Sequence, residues 1–249
     1  MAIDGLKRGL KQVMTPGMVD AARRGLDMLG LSRSTSGHDL ADQIPELSAH
    51  HVADAKLYAN RMDALDFLPR GGVVAELGVA QGDFSQAMLD RLAPARFDAY
   101  DIFRMHEVDA FWGRPTRELL GGHVHEDFYR RRFAPLIETG RVRVFEGDSA
   151  EQLSHRPDDL YDVIYIDADH TGESVRRDAE VAARKLKADG ILVFNDYILV
   201  DHILGTPYGI VPVVNDFCVN RGWRVVYYAL NPQLFCDIAI TRMQAPADA

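Results

Sequence analysis

Two groups of residues in this chain have the types and spacing for chemistry. The first lies at the ends of two apolar runs, in YDVIYIDADHTGESVRRDAE and LKADGILVFNDY. Asp167, Asp169 and His170 leave one run, and Asn195 and Asp196 leave the other. Both runs read as buried strands, and open α/β sheets bind ligands outside the carboxyl ends of their strands. If the two strands are neighbours, Asp167 lies beside Asn195 and Asp196 in an oxygen-rich pocket. Hard divalent cations such as magnesium take oxygen ligands and keep waters. An ion held there could grip a hydroxyl and lower its pKa. The same residues also suit a plainer role, with Asp167 and Asp196 capping helices and His170 starting one.

The second group is the run Val73 to Leu89, VVAELGVAQGDFSQAML. Val73, Val74 and Ala75 suit a strand covered on both faces. Glu76 stands near its end. Gly78 and Gly82 let the backbone turn sharply and approach a ligand, and Asp83 can cap the helix that follows. Phe84, Met88 and Leu92 then recur at helical spacing. The glycines read Glu76-x-Gly78-x-x-x-Gly82, which is not the G-x-G-x-x-G that seats a pyrophosphate on a helix N-terminus. A nicotinamide dehydrogenase is disfavoured on that ground.

This spacing resembles motif I of the class I S-adenosylmethionine (SAM) methyltransferases. SAM carries no phosphate and its amino-acid end is zwitterionic, so Glu76 suits the ammonium group, directly or through water. Asp101 ends the second strand, 23 residues after Gly78. An acid there can accept hydrogen bonds from both ribose hydroxyls, or it can simply start a turn. Asp148 and Ser149 follow the third strand. The resemblance implies an adenine contact for Asp148, while either residue could instead cap the next helix.

Positioning these groups requires a regular alternation of elements. A helix is expected from His51 to Leu68, stopped by Pro69-Arg70-Gly71-Gly72. Strands follow at the first motif, then at 97–101, 141–145, 161–167 and 191–195. A helix over 172–187 turns Val175, Ala179, Ala182 and Leu186 inward. Segments 223–230 and 234–241 read as a hairpin around Asn231-Pro232-Gln233. Strands joined by crossover helices imply a doubly wound, mostly parallel sheet. With the closing hairpin this resembles the seven-stranded Rossmann-like methyltransferase sheet, whose last strand inserts antiparallel beside the fifth. Residues 1–50 read as a helical extension and linker, 51–243 as the methyltransferase domain, and 244–249 as a disordered tail. Residues 104–140 are too long for a simple connection and read as a helical lid over the substrate, or equally as an ordinary helix with a charged face. His123 and His125 in that segment read as parts of a solvated loop, because no further ligand has metal-site spacing.

The chain has 249 residues, 47% of them hydrophobic, enough for one substantial α/β core. A net charge of −9 argues against a broad nucleic-acid surface. Cys218 and Cys236 form no CxxC or zinc pattern and read as buried thiols in a reducing compartment. No transmembrane segment or secretory signal is expected, which favours a cytoplasmic protein. A homo-oligomer is compatible with the sequence, which gives no warrant for a particular one.

From Val73 to Arg242 the chain resembles the bacterial small-molecule family that includes the macrocin-type and mycinamicin-type sugar O-methyltransferases. The Asp167 to His170 element, Arg177-Asp178 and Asn195-Asp196-Tyr197 are its most specific part. The resemblance implies Asp167 and Asp196 as magnesium ligands, Asn195 as a third, and His170 as general base, with Asp167 the next choice. Asn195 departs from the usual carboxylate, and Asp189-Gly190 departs from the usual Gly-Gly. The resulting expectation is SAM-dependent O-methylation of a small hydroxylated acceptor, such as a sugar or glycosylated natural product, assisted by metal. Metal-independent N- or O-methylation, and a SAM-binding scaffold without catalysis, are the alternatives.

Overall fold

The computed structural model describes residues 44–244. The expected N-terminal extension up to residue 43 and the tail from residue 245 lie outside the described residues. The strands are β1 (Lys56–Tyr58), β2 (Val73–Leu77), β3 (Arg96–Asp101), β4 (Ala110–Phe111), β5 (Arg114–Pro115), β6 (Val142–Glu146), β7 (Tyr161–Ile166), β8 (Leu186–Phe194), β9 (Trp223–Ala229) and β10 (Asp237–Arg242). Eight of them make one sheet in the order β1-β9-β10-β8-β7-β2-β3-β6, and β4 and β5 form a separate small hairpin. All pairings in the large sheet are parallel except those of β10, which runs antiparallel to both β8 and β9. The insertion of a hairpin strand beside the fifth long strand is therefore as expected.

The strand count differs from the expected seven. Lys56–Tyr58, read from sequence as helix, pairs in parallel with Tyr227–Ala229. The helix expected over 51–68 is split into α1 (Ala49–Val52), α2 (Arg61–Ala64) and a 3-10 turn at Leu65–Phe67. The apolar spacing of Tyr58, Met62 and Leu65 satisfied helical periodicity, but the open edge of β9 offered backbone partners that a helix would forgo. Asn60 then starts α2, accepting the Asp63 amide at 2.9 Å.

The remaining helices are α3 (Asp83–Leu92), α4 (Thr116–Leu119), α5 (His125–Arg132), α6 (Ala134–Glu138), α7 (Ser149–Ser154), α8 (Gly172–Lys185) and α9 (Ile210–Arg221). On one face of the sheet, α7, α8 and α9 pack Leu153, Val175, Ala179, Ala182, Val214 and Phe217 against Ala75, Leu77, Ile164 and Leu192. On the other, Phe84, Met88 and Leu92 of α3 join Tyr129 and Phe133 over Val74, Val163, Tyr165 and Val193. Each long strand is thus covered on both sides, which accounts for the continuous apolar runs in the sequence. Leu186, expected as the last inward residue of α8, is buried instead as the first of β8.

Candidate active site

Glycine is required in the loop after β2 because protein, not open space, occupies the side-chain positions. Gly78 has φ +84°, and a Cβ there would lie 2.1 Å from the Asp167 carbonyl oxygen. Gly82 has φ +83°, and its Cβ would meet the Phe133 and Tyr129 rings at 2.6 and 2.9 Å. The helix cap is Gly82, and Asp83, expected to cap, is the first helical residue and pairs with Arg132 at 2.6 Å. Cap geometry failed there because Gly82 already takes the left-handed conformation that begins α3.

Asp101 at the end of β3 holds this loop. One carboxylate oxygen accepts the Val79 and Ala80 amides at 2.9 and 3.2 Å, and the other accepts the Phe103 amide at 2.7 Å. Glu76 is buried and accepts a short hydrogen bond from Ser85, which in turn accepts one from the Tyr129 hydroxyl at 3.0 Å. Burial pushes the Glu76 carboxyl well above the usual range, and neighbouring Asp167 adds to the rise. Asp148 caps α7 through the Glu151 amide at 2.9 Å and pairs with Arg177. Ser149 donates to Asp178 at 2.7 Å, whose carboxyl burial pushes up to about 6.

The 104–140 segment closes on this same loop. His125, expected in a solvated stretch, is buried. Its Nε2 donates to the Ala80 carbonyl at 2.7 Å and its Nδ1 accepts the Met105 amide at 3.3 Å, which sets the tautomer. Gln81 donates to the Leu119 carbonyl at 2.6 Å, and Arg132 donates to the Gln81 carbonyl at 2.9 Å. Arg130 and Arg131 are engaged one turn back by Glu126 and Asp127. The segment read as a lid thus makes its polar contacts to the glycine loop.

The ends of β7 and β8 are neighbours, as expected, with Ile166 beside Phe194. His170 Nε2 lies 3.6 Å from an Asp167 oxygen, an ion-pair separation too long for a hydrogen bond. That nitrogen is buried with no hydrogen-bond partner. The ring stacks on Tyr208 at 4.5 Å, and the Gly209 amide donates to the His170 carbonyl at 2.8 Å. Burial pulls the His170 pKa down, but Asp167, Asp196 and Asp169 together carry it above 6.5. Asp196 sits at φ +56°, and burial and the nearby Asp167 push its carboxyl up to about 6. Asp169 turns away, accepting the Thr171 amide and hydroxyl and the Ser174 hydroxyl at 2.8–3.0 Å.

Asn195 does not join Asp167 and Asp196. Its amide nitrogen donates to Asp237 at 3.1 Å, and Tyr165 donates to the other Asp237 oxygen at 2.7 Å. Burial pushes Asp237 up to about 7. Arg61, from α2, lies over the Phe84 ring at 4.5 Å and beside the Tyr165 hydroxyl. Among the described residues no group of three or more His, Cys, Asp or Glu is placed to hold a metal. Arg61 and Asp237 drew no assignment from the sequence, and His125 was assigned to a solvated loop. Of the first two, only Asp237, an acid inside the apolar strand FCDIAI, left a signal there.

A fold with a glycine loop after β2, an acid after β3 and polar strand ends at β7 and β8 defines a nucleoside-cofactor site in a doubly wound sheet. Residues 75–197 match the family model of a methyltransferase domain. That match, over 123 of the 249 residues, supports a SAM-dependent methyltransferase. No curated protein matches the sequence. Among solved structures, an O-methyltransferase family protein from Burkholderia thailandensis is similar at 16% identity and a TM-score of 0.51, over 74% of this chain and 56% of that one. A Corynebacterium glutamicum protein is similar over the full length of both chains, at 14% identity and a TM-score of 0.51. The pyocyanin biosynthetic protein PhzM aligns over 70% of this chain and 51% of its own, at 16% identity and a TM-score of 0.48. The chain therefore spans about half the length of two of these three. At these identities the likeness is one of fold. No helix among the described residues is long and apolar enough to cross a membrane.

Proposed function

We propose that this protein transfers the methyl group of SAM to a hydroxyl of a small molecule, with His170 as general base. The observation that carries this is the buried, unpartnered His170 Nε2 facing Asp167 at the carboxyl end of β7. As the acceptor oxygen attacks the sulfonium methyl, its proton passes to Nε2. The methyl–sulfur bond breaks and S-adenosylhomocysteine leaves. Asp167 stabilises the imidazolium that forms, and the rigid strand ends hold the reactants in line.

The cofactor reading assigns the loop of Glu76, Gly78 and Gly82 to the methionine end and Asp101 to the ribose. Asp101 already accepts three amides, two on one oxygen and one on the other, which leaves a lone pair on the second oxygen for a ribose hydroxyl. Asp148 and Ser149 remain the adenine side, with contact through backbone, since Glu151, Arg177 and Asp178 engage their side chains. A sugar or glycosylated acceptor rests on the family resemblance. Exposed Leu199, Val200, Ile203 and Leu204, on the loop that leads to Tyr208, support an acceptor with an apolar part.

The described residues supply fewer ligands than the expected magnesium site. Asp167 and Asp196 are two carboxylates, and Asn195, the expected third ligand, is committed to Asp237. We therefore write the transfer with His170 taking the proton and without a metal step. Titration with S-adenosylhomocysteine should show one site per chain, and tight NADH binding in its place would overturn the reading. Turnover of a hydroxylated acceptor in EDTA should stay within about twofold of that in magnesium, because the general base is a side chain that EDTA leaves in place. Loss of turnover that only magnesium restores would put a metal back at Asp167 and Asp196.

A further inference from the structure

We infer that Arg61 anchors the carboxylate of the cofactor's methionine moiety, an anion-binding role for a residue outside the matched methyltransferase domain. This rests on the SAM reading of the site above. The guanidinium carbon sits 4.5 Å from the Phe84 ring centroid, and Phe84 itself packs on Tyr165 at the same distance. Phe84 is the second residue of α3, directly after the glycine loop. Arg61 is thereby held over the end of β2, where the methionine end of SAM would lie.

Arg61 sits in the field of Asp237 and Asp167 without closing on either. Its field is felt by Glu76, Tyr165, Asp196 and Asp237 alike. Among the described residues it nevertheless forms no ion pair, although many arginines of this chain do. The Asp237 carboxylate that would be its natural partner is taken by Tyr165 and Asn195. Glu76 is taken by Ser85. The pocket thus keeps Asp167 and Asp196 for an ammonium or a sulfonium, and one planar five-donor cation for a carboxylate. SAM presents those three charges in one chain of atoms. A guanidinium braced on an aromatic face is well suited to a bidentate carboxylate.

The test compares S-adenosylhomocysteine with its decarboxylated analogue, which keeps the amine and the thioether. Calorimetry on the wild type should show the full compound binding about ten- to a hundredfold tighter, the range of one charge-assisted pair. Arg61→Met should lose that factor for S-adenosylhomocysteine and leave the decarboxylated analogue within about twofold, so that the two affinities converge. Arg221→Ala, on the far surface of α9, should leave both unchanged. Equal affinities for the two compounds in the wild type would overturn the inference even if Arg61→Met failed to fold. An equal loss for both compounds in a folded Arg61→Met would also overturn it, making Arg61 structural. No binding of S-adenosylhomocysteine at all would instead overturn the SAM reading.

Discussion

His170 combines three features that rarely coincide at a helix start: a stacked ring, a buried nitrogen and no hydrogen-bond partner for it. Replacing it with alanine should cut kcat by about two to four orders of magnitude, the usual range for a lost general base. S-adenosylhomocysteine affinity should change little, since the cofactor loop lies on β2. The base must be neutral to work, and its pKa is raised. Activity should therefore fall as pH drops through a value above 6.5, and His170→Ala should abolish that limb of the kcat profile. A wild-type kcat in His170→Ala would move the base to Asp167. The residues legible in the sequence are those a strand end delivers in a known direction, Asp101, Asp167 and His170. Asn195 was misplaced because one residue along a strand reverses the face. Arg61 was illegible because its place depends on where α2 packs, which no local pattern records.

Between elements, the chief surprise is how the 104–140 insertion is used. Its length announced a special role, but not that His125, Leu119 and Arg132 would all bind the glycine loop. Three backbone groups there, the carbonyls of Ala80 and Gln81 and the amide of Met105, depend on side chains that sequence periodicity cannot pair. His125→Ala leaves the Ala80 carbonyl and the Met105 amide without partners and opens a buried gap. It should lower stability by about 2 kcal/mol, as expected for an unsatisfied buried polar group. It should also weaken S-adenosylhomocysteine binding severalfold while β6 to β10 stay native. Urea unfolding and calorimetry on the same sample check both. The strand edge tells the same lesson from the other side. Lys56–Tyr58 has helical spacing, and only the presence of β9 makes it a strand.

For the molecule as a whole, the sheet order was largely legible because buried parallel strands and crossover helices leave few topologies. The eighth strand and the helix α9 were not, since neither carries a signal distinct from its neighbours. The fold also gathers several carboxyls into low-dielectric surroundings at one end of the sheet. Asp196 and Asp237 are pushed up to about 6 and about 7. A raised acid keeps its proton longer folded than unfolded. Its contribution to stability is therefore present at low pH and lost as pH rises from the unfolded carboxylate range through the folded value. Asp237→Asn should remove part of that loss. Denaturation midpoints of wild type and variant should diverge between about pH 4 and about pH 7, the variant becoming relatively more stable with rising pH, and stay parallel above it. Parallel curves would show that Asp237 does not titrate in that window.

The contact between Gly78 and Asp167 has a further consequence. The Gly78 amide bonds the Tyr100 carbonyl and the Asp167 amide bonds the Leu77 carbonyl, each at 2.8 Å, with no room for a methyl group between the two turns. On the proposed reading, the loop that seats the methyl donor and the strand end that takes the proton are therefore bolted to one chassis. The distance a methyl group must travel is set by the architecture before either reactant arrives. Solvent reaches one support only when it reaches the other, so the amide protons of Gly78 and Asp167 should exchange with deuterium in a single cooperative opening.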